Sequence, residues 1–420
     1  MENPITGVPG RRMKLDRRTF SALALSTLAG CEERTPTPAD AAADASADTP
    51  ASAAPAPTAA PAPAPADDVP PLFRAHPGLA PHLPRLALGL LPTPVARAAK
   101  LGEKAGLAGL YVKRDDLAGA AYGGGKTRKL EFFLADARAK GAREIVTFGA
   151  FGSNQAVATA LYGAAQGFAV TLLLAPQTPS AYVRTNLRAA RRAGATIRVV
   201  IGGVAEAEAR AKRAAKAAQG VAPYLVPPGG SSPLGNLAFV NAGFELAEQV
   251  GAGHCPLPDC IYLAMGTMGS AVGLALGLEL SGLRTEVVAV RTSSPETSSE
   301  ARFFAMARET VAFARSLDPT FPDVRLGRAR VRFSTNHLGA GYGAPTRKGE
   351  RAITHAAETE GMALEPTYTG KTLAALLDDA TRLAGKVVLF WNSQNSRPLV
   401  TEGVKPEDFP PILRQIVADR

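Results

Sequence analysis

Lys126 stands in "YGGGKTRKLEFFLADA", behind three glycines and at the head of a helix-like run. A primary amine framed in this way suits three uses: a phosphate loop, an ordinary turn into a helix, or a lysine held for covalent chemistry. The spacing lacks the G-x-x-x-x-G-K-[ST] phosphate loop, so a nucleotide site is poorly supported. Two other turns bear on the choice. In "TFGAFGSNQA" a strand-like run ends at Gly149-Ala150-Phe151-Gly152, and Ser153, Asn154 and Gln155 open a helix. In "AMGTMGSAVG", Gly266, Thr267, Met268, Gly269 and Ser270 join an apolar run to a helical one. Small residues there let backbone N–H groups and hydroxyls converge on an anion at a helix N-terminus. A covalent lysine combined with a phosphate cradle fits pyridoxal 5′-phosphate, which carries an aldehyde and a phosphate on one ring.

The elements that must hold these turns alternate along the chain. In "TRKLEFFLADARAKGA", Leu130, Phe133, Leu134 and Ala137 fall at i, i+3, i+4 and i+7, and Gly141 ends the run. "EIVTFGA", "AVTLLLA", "TIRVVIG", "PYLVP", "CIYLAMG", "TEVVAVRT" and "KVVLFW" read as strands separated by helical stretches. Apolar strands without alternation, spaced by helices, imply parallel sheets covered on both faces. The expected class is therefore α/β and doubly wound, with ligands beyond the carboxyl ends of the strands.

"VKRDDLAGAAYGGGKTRKLEFFLADARAKGA" resembles the lysine segment of the 1-aminocyclopropane-1-carboxylate deaminase / D-cysteine desulfhydrase family. The likeness continues, in the family's order, through "GSNQ", "PPGGSSPLGNLAFVNAGFELAEQ", "GTMGSAVGLALGL", "GAGYGAP" and "LEPTYTGKTLAALL", across about residues 85–395. It implies a tryptophan-synthase-β-like fold of two open-sheet domains (fold type II) with pyridoxal 5′-phosphate as cofactor. The resemblance further implies that Lys126 binds the cofactor covalently and moves protons at the substrate's Cα. Asn154 would meet the ring oxygen, and Gly266 to Ser270 the phosphate. Tyr342 and Tyr368 match the two active-site tyrosines of the deaminase branch. Ser153, Gln155 and Lys129 are candidate substrate contacts, although Lys129 also reads as a cation on a helix face.

Several positions depart from the family's pattern. Gly125 replaces an asparagine before the lysine, Gln155 replaces a histidine, and Asn392-Ser393-Gln394-Asn395 replaces His-Thr-Gly-Gly. The deaminase branch sets a glutamate after the second tyrosine, against the pyridine nitrogen, where this chain has Thr369. A carboxylate there would keep the nitrogen protonated and a neutral hydroxyl would not. This difference favours β-elimination from a D-cysteine-like amino acid, giving pyruvate and ammonia. Ring-opening deamination and a non-catalytic binding protein that keeps the fold are the alternatives.

The N-terminus reads as a leader. Arg11, Arg12, Lys14, Arg17 and Arg18 precede a short apolar stretch and Leu28-Ala29-Gly30-Cys31. The ending resembles a bacterial lipobox with Cys31 as the lipidated residue, and Arg17-Arg18-Thr19-Phe20 resembles a twin-arginine signal. Residues 1–31 are thus read as a lipoprotein signal, 32–70 as an Ala/Pro-rich linker, and 71–420 as the catalytic region with a smaller domain at about 129–240. An exported, lipid-anchored envelope protein and a homodimer are expected. The chain is 46% hydrophobic with a net charge of +10, of which +3 belongs to residues 1–30. The remainder is mildly basic without a dense Lys/Arg run, which gives no case for nucleic acid. The five histidines show no metal-ligand spacing. Cys255 and Cys260 in "HCPLPDC" are close enough to bridge, or are two buried thiols.

Overall fold

The computed structural model describes residues 69–218 and 220–418. The leader-like segment with Cys31, and all but the last two residues of the Ala/Pro segment, lie outside the described residues. α1 (Pro71–Ala75) is followed by β1 (Val95–Arg97), α2 (Ala99–Ala105) and β2 (Gly109–Lys113). The lysine turn then opens α3 (Lys126–Ala139). Next come β3 (Glu144–Ala150), α4 (Asn154–Ala165), β4 (Ala169–Ala175), α5 (Ala181–Arg192), β5 (Thr196–Val199), α6 (Val204–Ala217), β6 (Tyr224–Val226) and α7 (Pro233–Gly251). β7 (Cys260–Met265), α8 (Gly269–Leu280), β8 (Glu286–Arg291), α9 (Glu300–Leu317) and β9 (Val331–Ser334) follow. α10 (Arg347–Glu360), α11 (Thr369–Asp378), β10 (Val387–Trp391) and α12 (Pro411–Val417) complete the described chain.

Two sheets form. The smaller has the order β5-β4-β3-β6, and the larger β1-β2-β10-β7-β8-β9. Every pairing is parallel except β1 on β2. The class is α/β with two doubly wound open sheets, as the apolar strand runs imply. In β7, Ile261, Leu263 and Met265 enter one core while Cys260 and Tyr262 enter the core on the other face. Both faces are covered, so these strands carry no polar alternation. β10, near the end of the chain, inserts between β2 and β7, with Val388 paired to both Leu110 and Cys260. That insertion carries the loop at residues 392–395 to the lysine turn.

Two features differ from the sequence reading, and a third settles a choice it left open. β9 reads Val-Arg-Phe-Ser and lies at the sheet edge, where Arg332 and Ser334 are only partly covered, so its apolar signal is weak. Val404, Phe409, Leu413 and Val417 return from the C-terminus to the core of the smaller sheet, alongside Val183 and Leu187 of α5. Finally, Cys255 and Cys260 are free and buried, in cores on opposite faces of the larger sheet, so the bridge gives way to the two-thiol reading.

Candidate active site

Lys126 is the first residue of α3, so its own position follows from the turn before it. Gly124 has φ 88°, a left-handed conformation that side-chain-bearing residues rarely adopt. Gly123 passes so near Asp116 that an added Cβ would lie 1.8 Å from its carbonyl oxygen. The 392–395 loop closes the turn from the other side. Asn395 Oδ1 accepts from Gly123 N–H at 2.7 Å, and the Ser393 carbonyl accepts from Gly125 N–H at 3.3 Å. The unusual Asn-Ser-Gln-Asn sequence is therefore part of the scaffold that sets the lysine.

A buried ionic network fixes the rest of α3. Arg128, 1% exposed, donates to Asp115 at 2.7 Å and to Glu245 at 2.7 Å. Lys113 Nζ donates to Glu245 at 2.6 Å and to Gln249 at 2.6 Å, and Trp391 Nε1 donates to Asp115 at 2.7 Å. Two cations meet two carboxylates, so the network is neutral and its hydrogen bonds tie α3 to α7 and β10.

Lys126 and Lys129 have no such partners. Lys126 Nζ lies 3.4 Å from the Gly229 carbonyl, and Lys129 Nζ donates to the carbonyls of Gly229 at 3.1 Å and Gly230 at 3.2 Å. Burial lowers the Lys126 amine to about 8. Lys129 falls well below its ordinary range through burial first and the Lys126 charge second. Among the described residues neither lysine forms an ion pair, so an anion here would relieve both. Lys129 is fully buried, which rules out the helix-face reading.

The glycine loop supplies the rest of an anion site. Met268, φ 69°, is the one residue other than glycine with positive φ among the described residues, and it caps α8. A Cβ on Gly269 would lie 2.4 Å from Asn236 Oδ1, 2.7 Å from Ser231 Oγ and 3.0 Å from Lys129 Nζ. Ser231 Oγ also accepts from Gly269 N–H at 3.2 Å and lies 2.7 Å from Thr267 Oγ1. One point at the N-terminus of a twelve-residue helix thus has the Lys129 amine, the Ser231 hydroxyl and the Asn236 side-chain amide around it, with Thr267 Oγ1 and the Gly269 N–H bonded to the same Ser231 hydroxyl. A phosphate fits that donor set. Ser231 and Asn236 lie in a motif noted in the sequence, but no spacing signal gives them a role.

Asn154 faces the lysine turn from the smaller sheet. Its Oδ1 accepts from Tyr122 Oη at 2.8 Å and from Tyr182 Oη, while its Nδ2 lies 3.4 Å from Gln394 Oε1. With Oδ1 taken by two hydroxyls, the Asn154 amide N–H₂ is the group that faces Gln394 and can donate toward a ligand. Ser153 caps α4 by accepting from Ala156 N–H at 3.3 Å. Gln155 donates to Thr159 at 3.0 Å and leaves its own Oε1 buried without a partner, 2.9 Å from where a Cβ on Gly230 would be. The candidate substrate contacts thus divide: Ser153 lies at a cap beside the site, whereas Gln155 and Lys129 lie against the Gly229-Gly230 turn.

Tyr342 and Tyr368 meet, with Oη–Oη 2.5 Å and rings edge to face. The Tyr368 ring comes within 3.2 Å of a Cβ placed on Gly266, so the pair adjoins the glycine loop. Burial pushes Tyr342 up to about 12 and Tyr368 well above its ordinary value, so both are neutral near pH 7. Lys371 holds the Tyr342 loop by donating to the Leu338 carbonyl at 2.7 Å and the Gly341 carbonyl at 3.3 Å. Thr369 is buried at the start of α11 beside Tyr368 and bonds to Glu365. Besides Gln155 Oε1, Asn236 Oδ1, Thr292 Oγ1 and Asn392 Nδ2 are buried without partners; Thr292 Oγ1 would lie 3.8 Å from a Cβ on Gly266. The residues present therefore fit a flat phosphorylated cofactor with polar edges. Tyr122, Tyr182, Ser231, Asn236 and Glu365 join the site without a sequence signal of their own.

Comparison with known proteins agrees with this geometry. Residues 86–394 match the family described as "Pyridoxal-phosphate dependent enzyme". The chain is 35% identical over 319 residues to nocardicin C-9′ epimerase of Nocardia uniformis subsp. tsuyamanensis, covering 75% of this chain and 94% of that protein. It is 33% identical over 300 residues to D-cysteine desulfhydrase of Salmonella choleraesuis (strain SC-B67), covering 70% and 88%. The crystal structure of an ACC deaminase homologue superposes with a TM-score of 0.66 at 28% identity, covering 78% of this chain and 95% of that one. Threonine deaminase isoform 2 from Solanum lycopersicum shares the fold, with a TM-score of 0.55 at 15% identity over 77% of this chain and 89% of that one. The lysine turn, the anion cradle and these likenesses agree: the chain belongs to the pyridoxal-phosphate-dependent enzymes of fold type II, with pyridoxal 5′-phosphate as its cofactor.

Proposed function

We propose that this enzyme, a pyridoxal-phosphate-dependent lyase of the desulfhydrase and deaminase type, removes the β-substituent of a small amino acid. D-cysteine or a similar β-substituted alanine is the substrate class. One observation carries the reading: a buried lysine amine without an ion pair shares the site with a buried tyrosine pair whose hydroxyls lie 2.5 Å apart, and burial lowers the amine to about 8 while it raises Tyr342 to about 12 and Tyr368 well above its ordinary value. Environments that push titratable groups apart in this way suit a base and an acid: about a tenth of the amine is free at pH 7, and both tyrosines keep their protons. When bound, the cofactor supplies the electron sink that makes the substrate's Cα–H acidic. Lys126 takes the Cα proton, and the Tyr342–Tyr368 pair gives a proton to the departing sulfur. Lys129, Ser231 and the Gly266–Ser270 loop hold the phosphate, and Asn154 donates to the ring oxygen. For D-cysteine and one water, the products are pyruvate, ammonia and hydrogen sulfide. The likeness to D-cysteine desulfhydrase supports the substrate class.

Tyr368→Phe should lower pyruvate release from D-cysteine by about 10²-fold or more, the range of a positioned proton donor. The absorbance of the bound cofactor should stay nearly unchanged. Full activity in this variant would remove the tyrosine from the mechanism. A second reading is proton return to Cα without elimination, which the likeness to an epimerase favours. The same lysine and tyrosines would serve it, and it yields no pyruvate.

Export by a lipoprotein signal belongs to the same proposal. Arg17 and Arg18 to Lys should block export if the twin-arginine route is used. Cys31→Ala should release the protein from the membrane fraction. Unchanged fractionation of both variants would remove the export reading.

A further inference from the structure

Glu365 lies four residues before Thr369 and is 2% exposed. Its Oε2 accepts from Thr367 N–H at 2.7 Å. Its Oε1 accepts from the N–H groups of Tyr368 and Thr369, both at 2.8 Å. The Thr369 hydroxyl accepts from Glu365 N–H at 3.0 Å and donates back to Oε1 at 3.2 Å. A hydroxyl has one proton and two lone pairs. With the proton on Glu365 and one lone pair on the Glu365 N–H, a single lone pair remains. Thr369 is therefore an acceptor, and not a donor, toward any third group.

The charge behind this hydroxyl is not matched within the chain. Among the described residues Glu365 forms no ion pair. Lys371, whose charge is coupled to it, directs its hydrogen bonds to the Leu338 and Gly341 carbonyls instead. Burial pushes the Glu365 carboxyl upward against the bonds to Thr369, Thr367 and Tyr368 that favour its charge. A carboxylate held at such a cost gains from a positive charge one hydroxyl away.

We propose that Glu365 is a positioning residue that acts through Thr369: it fixes the hydroxyl as an acceptor and thereby holds the cofactor's ring nitrogen protonated. The hydroxyl that distinguishes this chain from the glutamate of the deaminase branch is thus one half of a carboxylate–hydroxyl couple. This reverses the sequence expectation that it leaves the nitrogen unprotonated, so the preference for β-elimination rests on the likeness to D-cysteine desulfhydrase and not on Thr369. The proposal rests on the reading that Thr369 meets the ring nitrogen, and its test separates the two.

The experiment is ¹⁵N NMR of the holoenzyme loaded with cofactor labelled at the ring nitrogen. The wild-type resonance is expected in the pyridinium region. Glu365→Gln should move it toward neutral pyridine and lower kcat on the order of 10²-fold, with KM within about twofold. Thr369→Val, which keeps the backbone N–H bonds to the Glu365 carboxylate but loses the hydroxyl that accepts from Glu365 N–H, should move the resonance in the same way, and Thr369→Ser should leave it in place. If Thr369→Val moves the signal and Glu365→Gln does not, the role of Glu365 is refuted while the placement of Thr369 stands. If neither moves it, the placement itself is wrong and the proposal falls with it. Should Glu365→Gln fail to fold, the Thr369 pair still decides: a pyridinium signal kept in Val or lost in Ser overturns the couple.

Discussion

Replacing Lys126 with alanine is expected to lower turnover by about 10⁴-fold or more, the upper end of what a positioned proton-transfer group contributes. The loss is large because the residue serves twice, as the covalent attachment point and as the base at Cα. Borohydride should fix the cofactor to Lys126 in the wild type, and mapping of the adduct to Lys129 would refute the assignment. The amine near 8 adds a pH signature. Only the free amine attacks the aldehyde. With the pKa lowered, about a tenth of it is free at pH 7, against roughly 0.03% for an ordinary lysine. Capture of cofactor by apoprotein should therefore quicken about tenfold per pH unit below pH 8 and level off above it. A rate still climbing through pH 10 would place the attacking lysine in an ordinary, solvated setting.

Arg128→Met is expected to destabilise the fold by about 3–5 kcal/mol, the cost of breaking a buried ion pair from one side. The variant leaves Asp115 and Glu245, both nearly fully buried, with Lys113 as the one remaining cation of the network. Urea unfolding of the holoenzyme gives the measurement. A loss below 1 kcal/mol would mean that water or a neighbour replaces the guanidinium, and that α3 is not held as described. The same network predicts an acid limb. Burial raises Glu245, but Arg128 and then Lys113 outweigh it and bring it down to about 2 from an ordinary 4.5. The unfolded chain therefore takes up the proton first. The contribution of Glu245 is fully present above about pH 4.5 and is lost as pH falls toward 2.

The parts of this molecule legible in sequence are those whose signal is local. Strand runs such as "CIYLAM" announce burial on both faces, and "GTMGS" announces an anion turn because backbone geometry demands small residues in one short stretch. Lys126 is legible for the same reason. What stays hidden depends on approaches across the chain. Tyr182 reads as an ordinary aromatic on a basic amphipathic helix until α5 brings its hydroxyl to Asn154. Ser231 and Asn236 reach Gly269 only because α7 packs against α8. Lys129 and Arg128 look like surface charges in a helical run, yet both are buried, the first facing the cradle and the second its carboxylates. Glu365 carries no signal in the sequence, and its part shows only where its carboxylate meets the N–H groups at the head of α11 and the Thr369 hydroxyl.

The central claim is that this site deprotonates Cα and expels the β-substituent. The most direct test incubates the holoenzyme with D-cysteine in deuterium oxide, measuring pyruvate, ammonia and sulfide together with deuterium at Cα of the remaining substrate. The account predicts the three products in equal amounts, formed faster than deuterium enters unreacted D-cysteine, and none of them with Lys126→Ala. Deuterium exchange or inversion at Cα without pyruvate, or faster ring opening of 1-aminocyclopropane-1-carboxylate than elimination from D-cysteine, would contradict it.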